Sequence, residues 1–318
     1  MASYIEITIP ILQLSLVVTT EIAFILGLMT HVFIITVYVM DWRKGRTMST
    51  SDQVIISVMI SRMILQSLLQ LRLFWELFCT MCSPIYDLVI KIFFFGAMFS
   101  SIWLSTLLGV VFYLKISNIH SVFFLQMRRL FSKRILCIIM ASLLVSIGQT
   151  LVNHFCTQFL SFPNSTQIIQ PIHEIYAVFY ISTFSPLLIF LLSSLFLITS
   201  LYLHIRHMRC NRNVTSNLDP YYRIIKYTTG SIFISLICVI LFVVAERFHK
   251  MFGFLFFTSA WIIFGTLQSM LLIYVTPKLK NPLSRILKSL SNCWMKREEP
   301  GDLEMTVTTG YVNGVSKL

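Results

Sequence analysis

The chain has 318 residues, of which 56% are hydrophobic and 12% charged, with a formal net charge of +12. Such an apolar excess, with 27 Phe, excludes an ordinary soluble domain. The charge does not mark a nucleic-acid binder, because the basic residues fall in gaps between long apolar runs rather than on one soluble face.

Seven apolar runs follow one another, near 10–40, 53–75, 86–113, 135–153, 175–203, 228–248 and 253–276. A helix needs about 20 apolar residues to cross the ~30 Å hydrocarbon layer, and there it must satisfy its own backbone hydrogen bonds. The expected fold is therefore an all-α membrane protein, a bundle of seven transmembrane helices. Residues 1–9 form a short leading segment, 10–277 the bundle, and 278–318 an amphipathic helix with a tail. In that last part Leu279, Leu283, Ile286, Leu287 and Leu290 alternate with basic residues, as in a helix lying on a membrane surface. Beyond Glu298 the sequence turns polar and acidic, and disorder is expected.

Orientation follows from the loops. Twenty of 25 Lys and Arg residues lie in the first, third and fifth gaps and the tail, whereas the long gap at 154–174 has none. The positive-inside rule then puts the N-terminus outside the cell and the tail in the cytosol. Of two glycosylation sequons, Asn164-Ser165-Thr166 falls on the outer side and is expected to be modified; Asn213-Val214-Thr215 falls inside and is not. Cys79, Cys82 and Cys156 lie near the outer side, where a disulfide among them stays open. No spacing suggests a metal site, and no cofactor is expected.

Seven crossings suit a receptor, a retinal pigment, a transporter or a membrane enzyme. Residues 253–276 contain no Lys for a retinal Schiff base. The spans offer neither paired carboxylates nor His-x-x-x-His or Gly-x-Ser-x-Gly, so an enzyme is not expected. Inverted repeats of a secondary transporter are not evident. A receptor is left as the default.

Polar residues within the spans sharpen this. Span one ends Met40-Asp41-Trp42-Arg43-Lys44, and span two reads Asp52-Gln53-Val54, then Ile60-Ser61-Arg62. Span three carries Trp103-Leu104-Ser105-Thr106 and Leu114-Lys115-Ile116-Ser117-Asn118. Span five runs from Pro186 through Leu197-Ile198-Thr199-Ser200-Leu201, and span seven ends Ser269-Met270-Leu271-Leu272-Ile273 before Pro277-Lys278-Leu279-Lys280. In that order and at those depths the chain resembles the bitter taste receptors, the type 2 taste receptor family of G-protein-coupled receptors. It departs from the family pattern at His31, Tyr222, Gln268 and Thr276. The vomeronasal type 1 receptors share the architecture, and a small-solute transporter is the alternative of another class.

The resemblance implies a small-molecule agonist, bound in the outer half of the bundle, and a heterotrimeric G protein of gustducin-like or inhibitory type. Pairing with itself or another receptor stays open. Phe94, Met98 and Ser101 recur at helical spacing on span three. With Phe184, Phe242 and Trp261 they are the expected ligand-binding residues, in a pocket whose Met and aromatic walls tolerate varied ligands. Lys115, Arg128, Arg129, His204, Lys226 and Lys278 flank the expected G-protein face. Attraction to anionic lipid is the larger share of their role.

Arg62 lies ten residues from Asp52, and His31 ten from Asp41; at 1.5 Å per residue both reach about 15 Å above the inner end. Gln268 and Ser269 come within a turn of that level. An Arg facing lipid there costs roughly 2.5–3.5 kcal/mol, so Arg62 should face inward and donate to backbone carbonyls, Gln268 and an ordered water, linking spans one, two and seven. Whether that layer is a fixed clamp or a switch stays open at this point.

Overall fold

A computed structural model describes residues 2–78, 84–116, 122–160, 170–210, 219–247 and 249–298. Eight helices follow in order: α1 Ala2–Arg43, α2 Thr50–Phe78, α3 Pro84–Ile116, α4 Val122–Leu160, α5 Gln170–Cys210, α6 Asp219–Arg247, α7 His249–Val275 and α8 Pro277–Glu298. Seven of them are long and apolar enough to cross a membrane, and among the described residues there is no strand. The all-helical, seven-span expectation is met. Sequons Asn164 and Asn213, with Cys79, Cys82 and the tail beyond Glu298, lie outside the described residues.

The helix ends are written in the sequence. After α1 the chain turns at Gly45, whose φ of 77° suits a residue without Cβ. Gly45 N–H donates to Trp42 O at 2.9 Å, and Arg46 N–H to Asp41 O at 3.3 Å, the paired bonds of a Schellman ending. Ser49 and Asp52 then cap α2 reciprocally: Asp52 N–H donates to Ser49 Oγ and Ser49 N–H to Asp52 Oδ2, each at 3.3 Å. Pro84 and Pro277 open α3 and α8, where a missing N–H loses nothing. Within α4, Arg134 leaves helical geometry (φ −122°, ψ 29°), separating a basic first segment from the apolar span that the sequence places from 135.

Around the bundle α1 packs on α7 and α2, α2 on α3, α3 on α4 and α5, and α6 on α5 and α7. α8 turns back against α7 and α1. Its Leu279 is buried, whereas Ile286 and Leu287 stay exposed on a surface suited to lipid.

Two apolar clusters divide the interior. One, nearer the end that holds α8, gathers Ile34, Tyr38, Val58, Leu104, Leu108 and Leu272. The other gathers Leu65, Leu69, Phe94, Met98, Phe99 and Ile262. In lipid such packing works by close van der Waals contact rather than by expelling water. On α1, α2, α3 and α7 the polar residues His31, Arg62, Ser101 and Gln268 fall between the buried stretches that enter the two clusters, and Ser105 follows one turn after Ser101.

Candidate functional site

Arg62 occupies the centre of this intermediate layer and is 6% exposed. Its guanidinium donates to Ser269 Oγ on α7 at 3.1 Å and to Ser105 Oγ on α3 at 3.2 Å. A further bond goes from the same group to Gln268 Oε1. Gln268 passes the link on, since its Nε2 donates to Ser235 Oγ on α6 at 3.2 Å. Gln268 is thus the joint between a buried cation and α6.

Ser269 is the second hub. Its hydroxyl donates to Gly265 O one turn earlier at 3.0 Å, while Met59 Sδ stands 3.7 Å away. His31 Nε2 lies 2.9 Å from the same oxygen. With the hydroxyl proton on Gly265 O, the imidazole must donate from Nε2, and Nδ1 is left as an acceptor with no partner among the described residues. Five helices, α1, α2, α3, α6 and α7, meet through these contacts.

One turn farther from α8, Gln66 repeats the pattern more simply. Its Nε2 donates to Ile262 O at 3.3 Å and to Thr266 Oγ1 at 3.1 Å, and Thr266 reaches Ala23 O at 3.2 Å. Gly27 lets α1 come this close: a Cβ at that position would stand 2.7 Å from Gln66 Nε2 and would overlap Thr266 Oγ1. Beyond it Thr20 and Ser259 pair at 2.6 Å, and Gln70 donates to Glu21.

A cavity of about 120 Å³ opens beside this layer, between α2, α3, α5, α6 and α7. Arg62, Ser105, Gln268, Ser235 and Ser231 supply polar wall, and Leu65, Leu69, Phe190, Val239 and Phe264 apolar wall. Of the six residues expected to meet a ligand, Ser101 and Trp261 line it. Phe94 and Met98 are instead packed in the second apolar cluster, with the Phe94 ring 6.2 Å from that of Phe257 and under the Arg72 guanidinium at 5.3 Å. Phe184 is 37% exposed and absent from the cavity wall. The Phe242 side chain lies outside the described residues.

At the basic end the expected G-protein residues separate. Arg128, Arg129 and Lys226 are exposed, and the side chains of Lys115 and His204 lie outside the described residues. Lys278 turns inward: its Nζ is 3.3 Å from Asp41 Oδ2, 3.2 Å from Asp52 Oδ2 and 4.4 Å from the centre of the Tyr38 ring. It therefore ties α8 to the ends of α1 and α2, a role absent from the sequence reading.

Ser105 and Ser235 were missed there as well. The signal was available: Ser105 is ten residues from Lys115 and Ser235 nine from Lys226, the depth rule that found Arg62.

Residues 9–291 match the family model described as taste receptor protein (TAS2R). The chain is 35% identical over 131 residues to taste receptor type 2 member 123 of Mus musculus, covering 40% of this chain and 39% of that protein. Against member 39 of Homo sapiens it is 27% identical over 212 residues, 62% of either chain. Against member 1 of Pan paniscus it is 29% identical over 300 residues, covering 86% of this chain and 95% of that one. The alignments to the first two thus span less than two thirds of those relatives, whereas the third runs nearly end to end. With a family match over most of its length and seven apolar helices joined by a buried polar layer, the chain belongs to the taste receptor protein (TAS2R) family of multi-pass membrane receptors.

Proposed function

We propose that this chain is a chemosensory G-protein-coupled receptor of the plasma membrane. It binds small bitter-type molecules between the helices and activates a heterotrimeric G protein, gustducin-like or inhibitory. The observation that carries the reading is the position of the cavity: its wall includes both ends of the Gln268–Ser235 bond that joins α6 to α7. A ligand that prefers the arrangement with this bond open shifts the population toward it, in proportion to its difference in affinity for the two states. The basic end of α6 can then swing away and uncover a cleft for the G protein, flanked by Arg128, Arg129 and Lys226. The polar layer acts as a switch at Gln268 and as a clamp at His31, Arg62 and Ser269.

The orientation belongs to this reading: basic loops and α8 on the cytosolic side, Asn164 outside and glycosylated. A calcium-reporter screen with bitter compounds, with and without a co-expressed G-protein α-subunit, tests it. Responses that require the subunit are expected. Solute flux independent of any G protein, or a glycan on Asn213, would overturn it.

A further inference from the structure

The cation at the edge of the cavity is not neutralised. Among the described residues Arg62 makes no ion pair, and its acceptors Ser269, Ser105 and Gln268 are all uncharged. Asp41 and Asp52, the acids on the neighbouring helix ends, are taken by Lys278 about 15 Å away along α2. A guanidinium buried in a low-dielectric layer without a countercharge is costly, and an anion able to reach it recovers part of that cost through charge-assisted hydrogen bonds. The cavity provides the access, since Arg62 itself forms part of the wall.

The rest of the wall limits what can enter. Above the guanidinium lie Leu65, Leu69, Val239 and Phe264, so the body of the occupant must be apolar. Ser105 and Ser231, both half-buried or buried, can donate to a second acceptor oxygen beside Arg62. The volume of about 120 Å³ is a little below the ~150 Å³ cavity that accepts benzene. Short-chain acids fit this size better than ring acids.

From the uncompensated Arg62 at the edge of a largely apolar cavity, we infer that the site takes a small organic monoanion, a carboxylate on a short apolar chain, seated against Arg62. This deepens the receptor reading proposed above and rests on it for its signalling consequence. A carboxylate there competes with Gln268 Oε1 for the guanidinium. It thereby loosens the residue that holds α6 through Ser235.

Thermal unfolding of the purified receptor in lipid nanodiscs tests the binding without any G protein. Sodium butyrate is titrated at constant ionic strength against sodium gluconate, in parallel with neutral butyramide and with sodium chloride. Butyrate is expected to raise the midpoint saturably, by at least about 2 °C at tenfold excess over its Kd. Butyramide and chloride should move it far less. Arg62→Met should abolish the shift. Should that variant fail to fold, Val239→Phe, which fills the cavity and leaves the Arg62 bonds in place, should abolish it too. Equal shifts by butyrate and butyramide, a shift saturated by chloride alone, or an unchanged butyrate shift in Val239→Phe would each overturn the assignment. A butyrate shift in a receptor that activates no G protein would sink the signalling reading and leave this site standing.

Discussion

Two sides of this bundle are held by different forces. About half of the apolar stretch of α2 is buried within the protein, against 22% in α5 and α6. The α1–α2–α7 side is also joined by directional bonds at several levels: Thr20–Ser259, Gln66–Thr266, His31–Ser269, Arg62–Ser269 and, at the basic end, Lys278 between Asp41 and Asp52. The α5–α6 side leans on apolar contact, with Gly230 against Leu271, Gly109 against Phe190 and the Phe112 ring 5.9 Å from that of Tyr227. Apolar side chains in lipid can slide at little expense, because lipid replaces what they lose. Hydrogen bonds in lipid cannot be traded for water. In the function proposed above the first side serves as a frame and the second as the moving part, with Gln268–Ser235 as a bond between them.

The largest break in this contrast should come at its centre. Arg62→Met leaves Ser105, Ser269 and Gln268 without their shared donor, and a buried polar group left unsatisfied costs about 1–3 kcal/mol. Surface expression should fall several-fold, and the thermal midpoint of purified protein should drop. Full expression with an unchanged agonist response would mean that Arg62 neither clamps nor switches.

Next in size is Gly27→Ala. The added methyl meets a stiff Thr266 and a Gln66 amide held at both Ile262 and Thr266, so α1 must back away. Overpacking of this kind costs about 1–3 kcal/mol, read as a lower unfolding midpoint in nanodiscs. The same change at Gly148, which has open space around it, should do almost nothing.

Gln268→Leu and Ser235→Ala act on the joint rather than on the frame. Ser235→Ala removes one hydrogen bond worth about 1 kcal/mol, which shifts a two-state population roughly fivefold, and Gln268→Leu removes that bond together with the one it accepts from Arg62. Resting G-protein activation, measured without agonist, should rise by about that factor while expression stays close to wild type. A fall in both would place Gln268 in the frame instead.

Smallest is Lys278→Met. The ammonium is about one-third exposed, and partly solvated pairs contribute up to ~1 kcal/mol. The variant should lose only slight stability, with the difference shrinking as salt is raised.

This division was only half legible in the sequence. The spans were plain because hydrocarbon demands long apolar runs, and the depth of His31, Arg62 and Gln268 followed from the fixed rise of a helix. Rotation about the helix axis was harder. Phe94, Met98 and Ser101 share a helical stripe, yet Ser101 meets the cavity while Phe94 and Met98 fill the cluster between α2 and α7. A few degrees of rotation decide which, and neighbouring helices set it. Ser105 and Ser235 escaped because a single hydroxyl in an apolar helix ordinarily bonds its own backbone, as Thr199 does with Leu195 O. Lys278 was read with the surface cations, since nothing local shows that Asp41 and Asp52 converge on it from two other helices.

The central claim is that α6 moves against a frame of α1, α2 and α7 when Gln268 releases Ser235. Spin labels at Met40 and Tyr222, at the basic ends of α1 and α6, report that motion by pulsed electron resonance; a Met40–Tyr274 pair reports on the frame. In Gln268→Leu the Met40–Tyr222 distances should lengthen and broaden while Met40–Tyr274 stays as in wild type. Unchanged Met40–Tyr222 distances, or a shift of equal size in both pairs, would contradict the account.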